Sequence, residues 1–127
     1  MSRKPLAAFV VIAATALVVA GGALGRTSKM PTLKGVVGPG YSIKLTMNGT
    51  KVKSLKAGKY KFAITDKSDF HNFKVEWEKG GHFAKQITTT PFTGSKSVVI
   101  TLKPGSWRAY CSVHESQMHT DFKVTKK

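Results

Sequence analysis

Cys111, His114 and Met118 crowd into one short segment, Trp107-Arg-Ala-Tyr-Cys-Ser-Val-His-Glu-Ser-Gln-Met-His119, and His71 lies well upstream in Phe70-His-Asn-Phe73. Together they offer a thiolate, two imidazoles and a thioether. That donor set suits copper. Thiolate and thioether favour the cuprous ion, imidazole accepts both oxidation states, and two histidines, a cysteine and a long axial methionine make the trigonal site of electron-transfer copper proteins. Zinc also takes such donors, but structural zinc sites draw on several cysteines in close pairs, and Cys111 is the only cysteine in the chain. A lone cysteine cannot form an internal disulfide. In an exported chain an exposed thiol would oxidise, whereas a thiolate held by a metal is shielded. Taken singly, Cys111 would be a buried small hydrophobe, His71 a core histidine and Met118 a packing residue. His82 and His119 are expected at the surface.

The four side chains can meet only if strands carry them to one place. From Tyr41 onward apolar residues recur at every second position. Tyr41, Ile43, Leu45 and Met47 form one such run, and Tyr60, Phe62 and Ile64 another. His71, Phe73, Val75 and Trp77 follow, then Val98, Ile100 and Leu102, then Trp107, Ala109 and Cys111, and last Phe122 and Val124. Alternation of period two marks half-buried strands. Asn48-Gly49, Ala57-Gly58 and Pro104-Gly105 supply the turns. Thr50 to Leu55 is expected to return as a second strand, and His82 to Gly94 to be an irregular strand or loop. No helical period occurs after the first segment. The pattern predicts an all-β fold, a Greek-key antiparallel β-sandwich. Parity points Cys111 and His71 inward and Tyr110 outward. Phe122 and Val124 share the parity of Met118, so Met118 should face the interior and His119 the solvent.

Phe70-His-Asn-Phe73 and Tyr110-Cys-Ser-Val-His114 followed by Met118 resemble the cupredoxins, specifically the plastocyanin-like type 1 (blue) copper proteins. The likeness covers Tyr41 to Val124. It implies one copper ion cycling between Cu(I) and Cu(II), with His71, Cys111 and His114 as equatorial ligands and Met118 as the axial one. It also implies that Asn72 hydrogen-bonds near Ser112 and pins the two ligand segments together, and that a redox partner protein exchanges the electron. Two features depart from the pattern. The spacer between His114 and Met118 is one residue shorter than is common in plastocyanins, which puts His119 at the longer spacing. His119-Thr120-Asp121 then follows the methionine, where many relatives carry a glycine. His119 is therefore the alternative axial ligand.

The first segment stands apart from all this. Arg3 and Lys4 precede Leu6 to Ala20, which is uncharged with Thr15 as its one polar residue, and the small residues Gly21, Gly22, Ala23 and Gly25 follow. That order is the pattern of an export signal. The apolar run is also close to the roughly 20 residues that span a bilayer, so a retained anchor is the alternative. Residues 1–25 are expected as a signal peptide or membrane anchor. Residues 26–40, with Pro31, Gly35, Gly38 and Pro39, are expected as a tether, and 41–127 as the folded domain. The place of action would then be periplasmic or extracellular.

The formal net charge is +15 and the pI about 10.2. Taking Arg3 and Lys4 from the 21 basic residues leaves 19 against 6 acidic ones. Such an excess calls for an anionic partner or surface. Export argues against nucleic acid, the lysines are spread along many segments, and no nucleic-acid-binding motif occurs. An acidic docking face on a redox partner, an anionic membrane or a wall polymer fits better. No Ser-His-Asp pattern or carboxylate pair suggests an enzyme, and a monomer is expected. The leading function is an electron carrier. A copper-delivery protein without a redox role and a metal-free adhesive sandwich are the competing classes.

Overall fold

The structure is a computed structural model that describes residues 29–127. The expected signal or anchor, 1–25, lies outside the described residues, as do the first residues of the expected tether. The described chain forms ten strands: β1 (Thr32–Val37), β2 (Ile43–Met47), β3 (Thr50–Lys51), β4 (Ser54–Lys56), β5 (Gly58–Asp66), β6 (Phe73–Lys79), β7 (Phe83–Thr88), β8 (Gly94–Leu102), β9 (Gly105–Tyr110) and β10 (His119–Thr125). They make two five-stranded sheets, ordered β3-β2-β1-β5-β8 and β4-β10-β9-β6-β7. The alternation read from the sequence is the one the sandwich uses. Leu33, Leu45, Phe62, Ile64 and Ile100 of the first sheet are buried together with Phe73, Val75, Trp107, Ala109 and Phe122 of the second. Burial of each such side chain stabilises by roughly 1.5–3 kcal/mol, and the fold is the all-β Greek-key sandwich expected.

Three details differ from expectation. The sheets are mixed rather than wholly antiparallel, because β1 pairs parallel with β5 and β4 parallel with β10. The sandwich also begins earlier than Tyr41. Residues 32–37, inside the stretch expected as a tether, are β1, a central strand of the first sheet. Leu33 and Val37 face the core, and Gly35 sits between them where a Cβ would run into the Ile64 and Phe73 side chains. The glycine that read as a linker signal is there because the two sheets approach closely. Finally, Thr50 to Leu55 does not return as one strand. Thr50–Lys51 closes a hairpin on β2, and Ser54–Lys56 crosses to the second sheet.

The stretch after His82 is more regular than its composition suggested. Phe83–Thr88 pairs antiparallel with β6 at the edge of the second sheet. Its first four residues are exposed and only Ile87 and Thr88 are buried, so the hydrophobic alternation that marks a strand is missing there. The two sheets bring the ends of β1, β5 and β9 and the start of β6 to one pole of the sandwich. His71, Cys111 and His114 gather at that pole.

Candidate metal centre

His71, Cys111 and His114 meet at this pole, with one ligand-type atom from each within 4.8 Å of the others. Cys111 and Met118 close a loop between β9 and β10. The Cys111 N–H donates to the Met118 carbonyl at 3.0 Å, and the N–H groups of Gln117 and Met118 donate to the His114 carbonyl at 3.0 and 2.8 Å. This tight turn explains why so short a spacer suffices. His71 arrives from the segment between β5 and β6, across the sandwich.

The three donors form a near-trigonal arrangement. His71 Nδ1 lies 3.1 Å from His114 Nδ1 and 3.8 Å from Cys111 Sγ, and His114 Nδ1 lies 3.9 Å from Cys111 Sγ. The centre of a triangle with those edges is about 2.1 Å from each corner, the length of a first-row metal bond to imidazole nitrogen and slightly short of the roughly 2.3 Å of one to thiolate sulfur. The other His71 nitrogen fixes the tautomer. Nε2 is 2.8 Å from the Gly40 carbonyl oxygen, which can only accept, so Nε2 carries the proton and Nδ1 presents its lone pair to Sγ. Two Nδ1 atoms facing each other at 3.1 Å accommodate either an N–H···N hydrogen bond or, with Cys111 Sγ beside them, a metal ion between the three donors. The residues present therefore fit a bound metal.

The surrounding hydrogen bonds hold the donors in place. The Asn72 side chain bridges the two ligand segments: Nδ2 donates to Ser112 Oγ at 2.7 Å, and Oδ1 accepts from the Ser112 N–H at 2.8 Å. This is the clasp that the cupredoxin resemblance implied. The Asn72 N–H donates to Cys111 Sγ at 3.5 Å. Below, the Phe73 N–H donates to Thr88 Oγ1 at 2.9 Å, at the bulge between Phe73 and Lys74 where β6 starts. His71 and Cys111 are fully buried, and His114 is half-buried. The exposed rings of Tyr41 and Phe70 stand edge-on to the His114 ring, at 5.0 and 6.2 Å.

Met118 is fully buried and His119 exposed, as strand parity required. His119 Nδ1 is spoken for by the Glu115 carbonyl at 2.8 Å. His82 is exposed. Tyr110 lies on the outer face of the second sheet, as its parity demanded, yet it is buried rather than open to solvent. Its hydroxyl donates to Glu76 Oε2 at 3.0 Å and Lys74 covers its ring. Burial, reinforced by the bond to Glu76, pushes the phenol up to about 12. Arg108, beside it, gathers Glu78, Glu115 and Asp121 at 3.3, 3.1 and 2.6 Å, tying the ligand loop to β6 and β10. Its guanidinium holds the Asp121 carboxyl below the usual carboxylate range.

Sequence reasoning missed two parts of this centre. The Gly40 carbonyl and the Tyr41 ring come from residues read as the end of a linker and the start of a strand. No side-chain type announces a backbone carbonyl as a partner, and Tyr41 fell into the alternation of β2 by coincidence of spacing.

No family model matches the chain, and no curated protein sequence does. Solved structures do. One rusticyanin structure superposes with a TM-score of 0.55 at 13% identity, over 78% of this chain and 79% of that one. The fold is the cupredoxin fold. A second match, rusticyanin from Thiobacillus ferrooxidans, has a TM-score of 0.52 at 13% identity with the same coverage. A structure of an amicyanin variant with Cu(I) reaches a TM-score of 0.47 at 11% identity over 75% of this chain and 83% of that one. Within the cupredoxin sandwich of this chain, the His71, Cys111 and His114 group sits at one end, between loops rather than within the sheets.

Proposed function

We propose that the protein is an exported copper-binding electron carrier that passes one electron at a time through a single type 1 centre. The observation that carries this reading is the triangle of His71 Nδ1, Cys111 Sγ and His114 Nδ1, three donors of copper-binding type at metal-binding separation. It stands in a fold shared with rusticyanin, a copper protein. A bound copper ion supplies reversible exchange between Cu(I) and Cu(II).

The chain's own residues do the rest. His71, Cys111 and His114 would hold the copper ion, and the buried Met118 would add a weak thioether donor. Gly40 fixes the His71 ring and Asn72 locks the two ligand segments, so the donors keep one geometry in both oxidation states. Burial of Cys111 and Met118 keeps water from the thiolate. The half-buried His114, flanked by the exposed rings of Tyr41 and Phe70, is the edge at which a redox partner protein comes close. Complete burial of two donors favours a carrier over a delivery protein, which needs an accessible site and ready release.

The test is voltammetry of the copper-loaded protein. A reversible one-electron wave that disappears in Cys111→Ser is the expected result. Loss of copper to a weak chelator within minutes of reduction, with no reversible wave, would instead identify a delivery protein.

A further inference from the structure

We propose that the outward face of the first sheet is a docking surface for anionic lipid head groups. Strand register defines that face. Lys51, Thr46, Lys34, Ala63 and Ser97 lie in one row across all five strands. Lys44, Val36, Thr65 and Ser95 form the next row. Thr32, Lys61 and Val99 form a third, and Lys59 with Thr101 a fourth. The face thus presents Lys34, Lys44, Lys51, Lys59 and Lys61, all exposed, and not one acidic residue.

The acidic residues are elsewhere. Glu76, Glu78, Glu115 and Asp121 surround Arg108 and Tyr110 on the second sheet. Asp66 is buried and accepts from the Ser68 N–H, and Asp69 is in the loop before His71. Lysines occur on both sheets, but the acidic residues lie off this face, so the positive potential is unopposed there.

The geometry of the lysines points to lipid rather than to a compact anion. Five strands at about 4.8 Å spacing make a face roughly 20 Å across. The lysines are spread over it and do not converge on a point. Serine and threonine hydroxyls fill the gaps, and Val99 is 55% exposed among them. Each lysine near an anionic bilayer contributes a similar increment that fades within a Debye length, so spread cations are effective against an extended charged plane. The chain also enters this sheet in a suitable place. Lys29 to Pro31 lead into β1 at its Thr32 end, whereas the Val37 end leads to Gly40 and the metal centre. With the lysine face on a bilayer, the His114 rim would point along the membrane plane and stay open to a partner. This inference rests on surface charge alone and is independent of the copper reading.

Vesicle co-sedimentation of the full chain tests it. Three proteins are compared: wild type, the face variant Lys34→Gln/Lys44→Gln/Lys61→Gln, and the control Lys79→Gln/Lys85→Gln/Lys123→Gln, which removes equal charge from the second sheet. Vesicles are phosphatidylcholine alone or mixed with phosphatidylglycerol. Any contribution of the N-terminal segment is common to all three and cancels. Wild type should gain affinity when phosphatidylglycerol is added. The face variant should lose about a hundredfold of that gain, the control far less, and Cys111→Ser none. No gain in wild type, or equal losses in both triple variants, would overturn the proposal. So would binding to a soluble acidic polymer with indifference to the vesicles.

Discussion

The two ends of the sandwich are held together by different physics. Away from the metal centre, Trp77 and Trp107 stack at 5.7 Å with their planes 7° apart, and Phe122 continues the stack at 6.3 Å from Trp107. Phe83 leans on the same ring, and Trp107 Nε1 donates to the Lys103 carbonyl at 2.8 Å. At the metal centre the contacts are short, directional hydrogen bonds: Asn72 to Ser112, His71 to the Gly40 carbonyl and Phe73 to Thr88. Apolar stacking is large and tolerant of small shifts, whereas hydrogen bonds lose strength steeply when misaligned. One end supplies cohesion, and the other fixes the position of donor atoms. Stability and site geometry should therefore respond to different substitutions.

The largest effect should come from the aromatic end. Trp107→Ala removes the centre of the stack and is expected to cost about 3–5 kcal/mol, as large aromatic truncations in cores do. Denaturant unfolding reads that loss. The visible spectrum of the copper-loaded folded fraction should not move; a shifted spectrum would mean that the two ends are mechanically coupled.

Asn72→Ala should do the reverse. It costs about 1–3 kcal/mol, the penalty for orphaning buried polar groups. Its main consequence is a changed spectrum and reduction potential, because Ser112 next to the thiolate loses its anchor. Unchanged optical properties in that variant would move Asn72 into the purely structural class.

Met118→Leu tests the axial position. It should keep the colour and raise the reduction potential, because replacing a donor by an apolar side chain destabilises the cupric ion more than the cuprous ion, which accepts fewer ligands. An unaltered potential would take Met118 out of the site.

Between the two ends lies the Arg108 network, and its effect is smaller. The folded-state pKa of Asp121 is depressed, first by the hydrogen bond from Arg108. The pair therefore contributes stability above the unfolded carboxylate pKa, and that contribution is lost as pH falls through the lower folded value. The Asp121 side chain is 52% exposed, so solvent screening limits the contribution to under about 1 kcal/mol. Unfolding midpoints of wild type and Asp121→Asn should differ near neutrality and converge in acid. A difference that persists in strong acid would rule out this ion pair as its cause. His119→Ala, by contrast, should alter neither potential nor spectrum, because its ring sits at the surface on the Glu115 carbonyl.

Much of this molecule was legible in the sequence because period-two alternation is a strong signal where one face is buried. The strands carrying Phe62, Val75, Ile100, Trp107 and Phe122 all announced themselves, and parity alone turned Met118 inward and His119 outward. The signal failed where burial was not one-sided. At β7 the edge position leaves Phe83 to Gln86 exposed. At β1 the close approach of two sheets demands Gly35, and glycine reads as a linker. Tyr110 shows a subtler failure. Its parity was read correctly, but Glu76 and Lys74 cover it from the same outer face, and parity says nothing about what covers a residue.

The central claim is that His71, Cys111 and His114 together bind one copper ion through a thiolate. The most direct measurement is a titration of metal-free protein with Cu(II), followed by visible absorption. The structure leads us to expect an intense copper–thiolate charge-transfer band that grows to one equivalent and is absent from Cys111→Ser. Binding of one equivalent without that band, or an identical titration in Cys111→Ser, would contradict it.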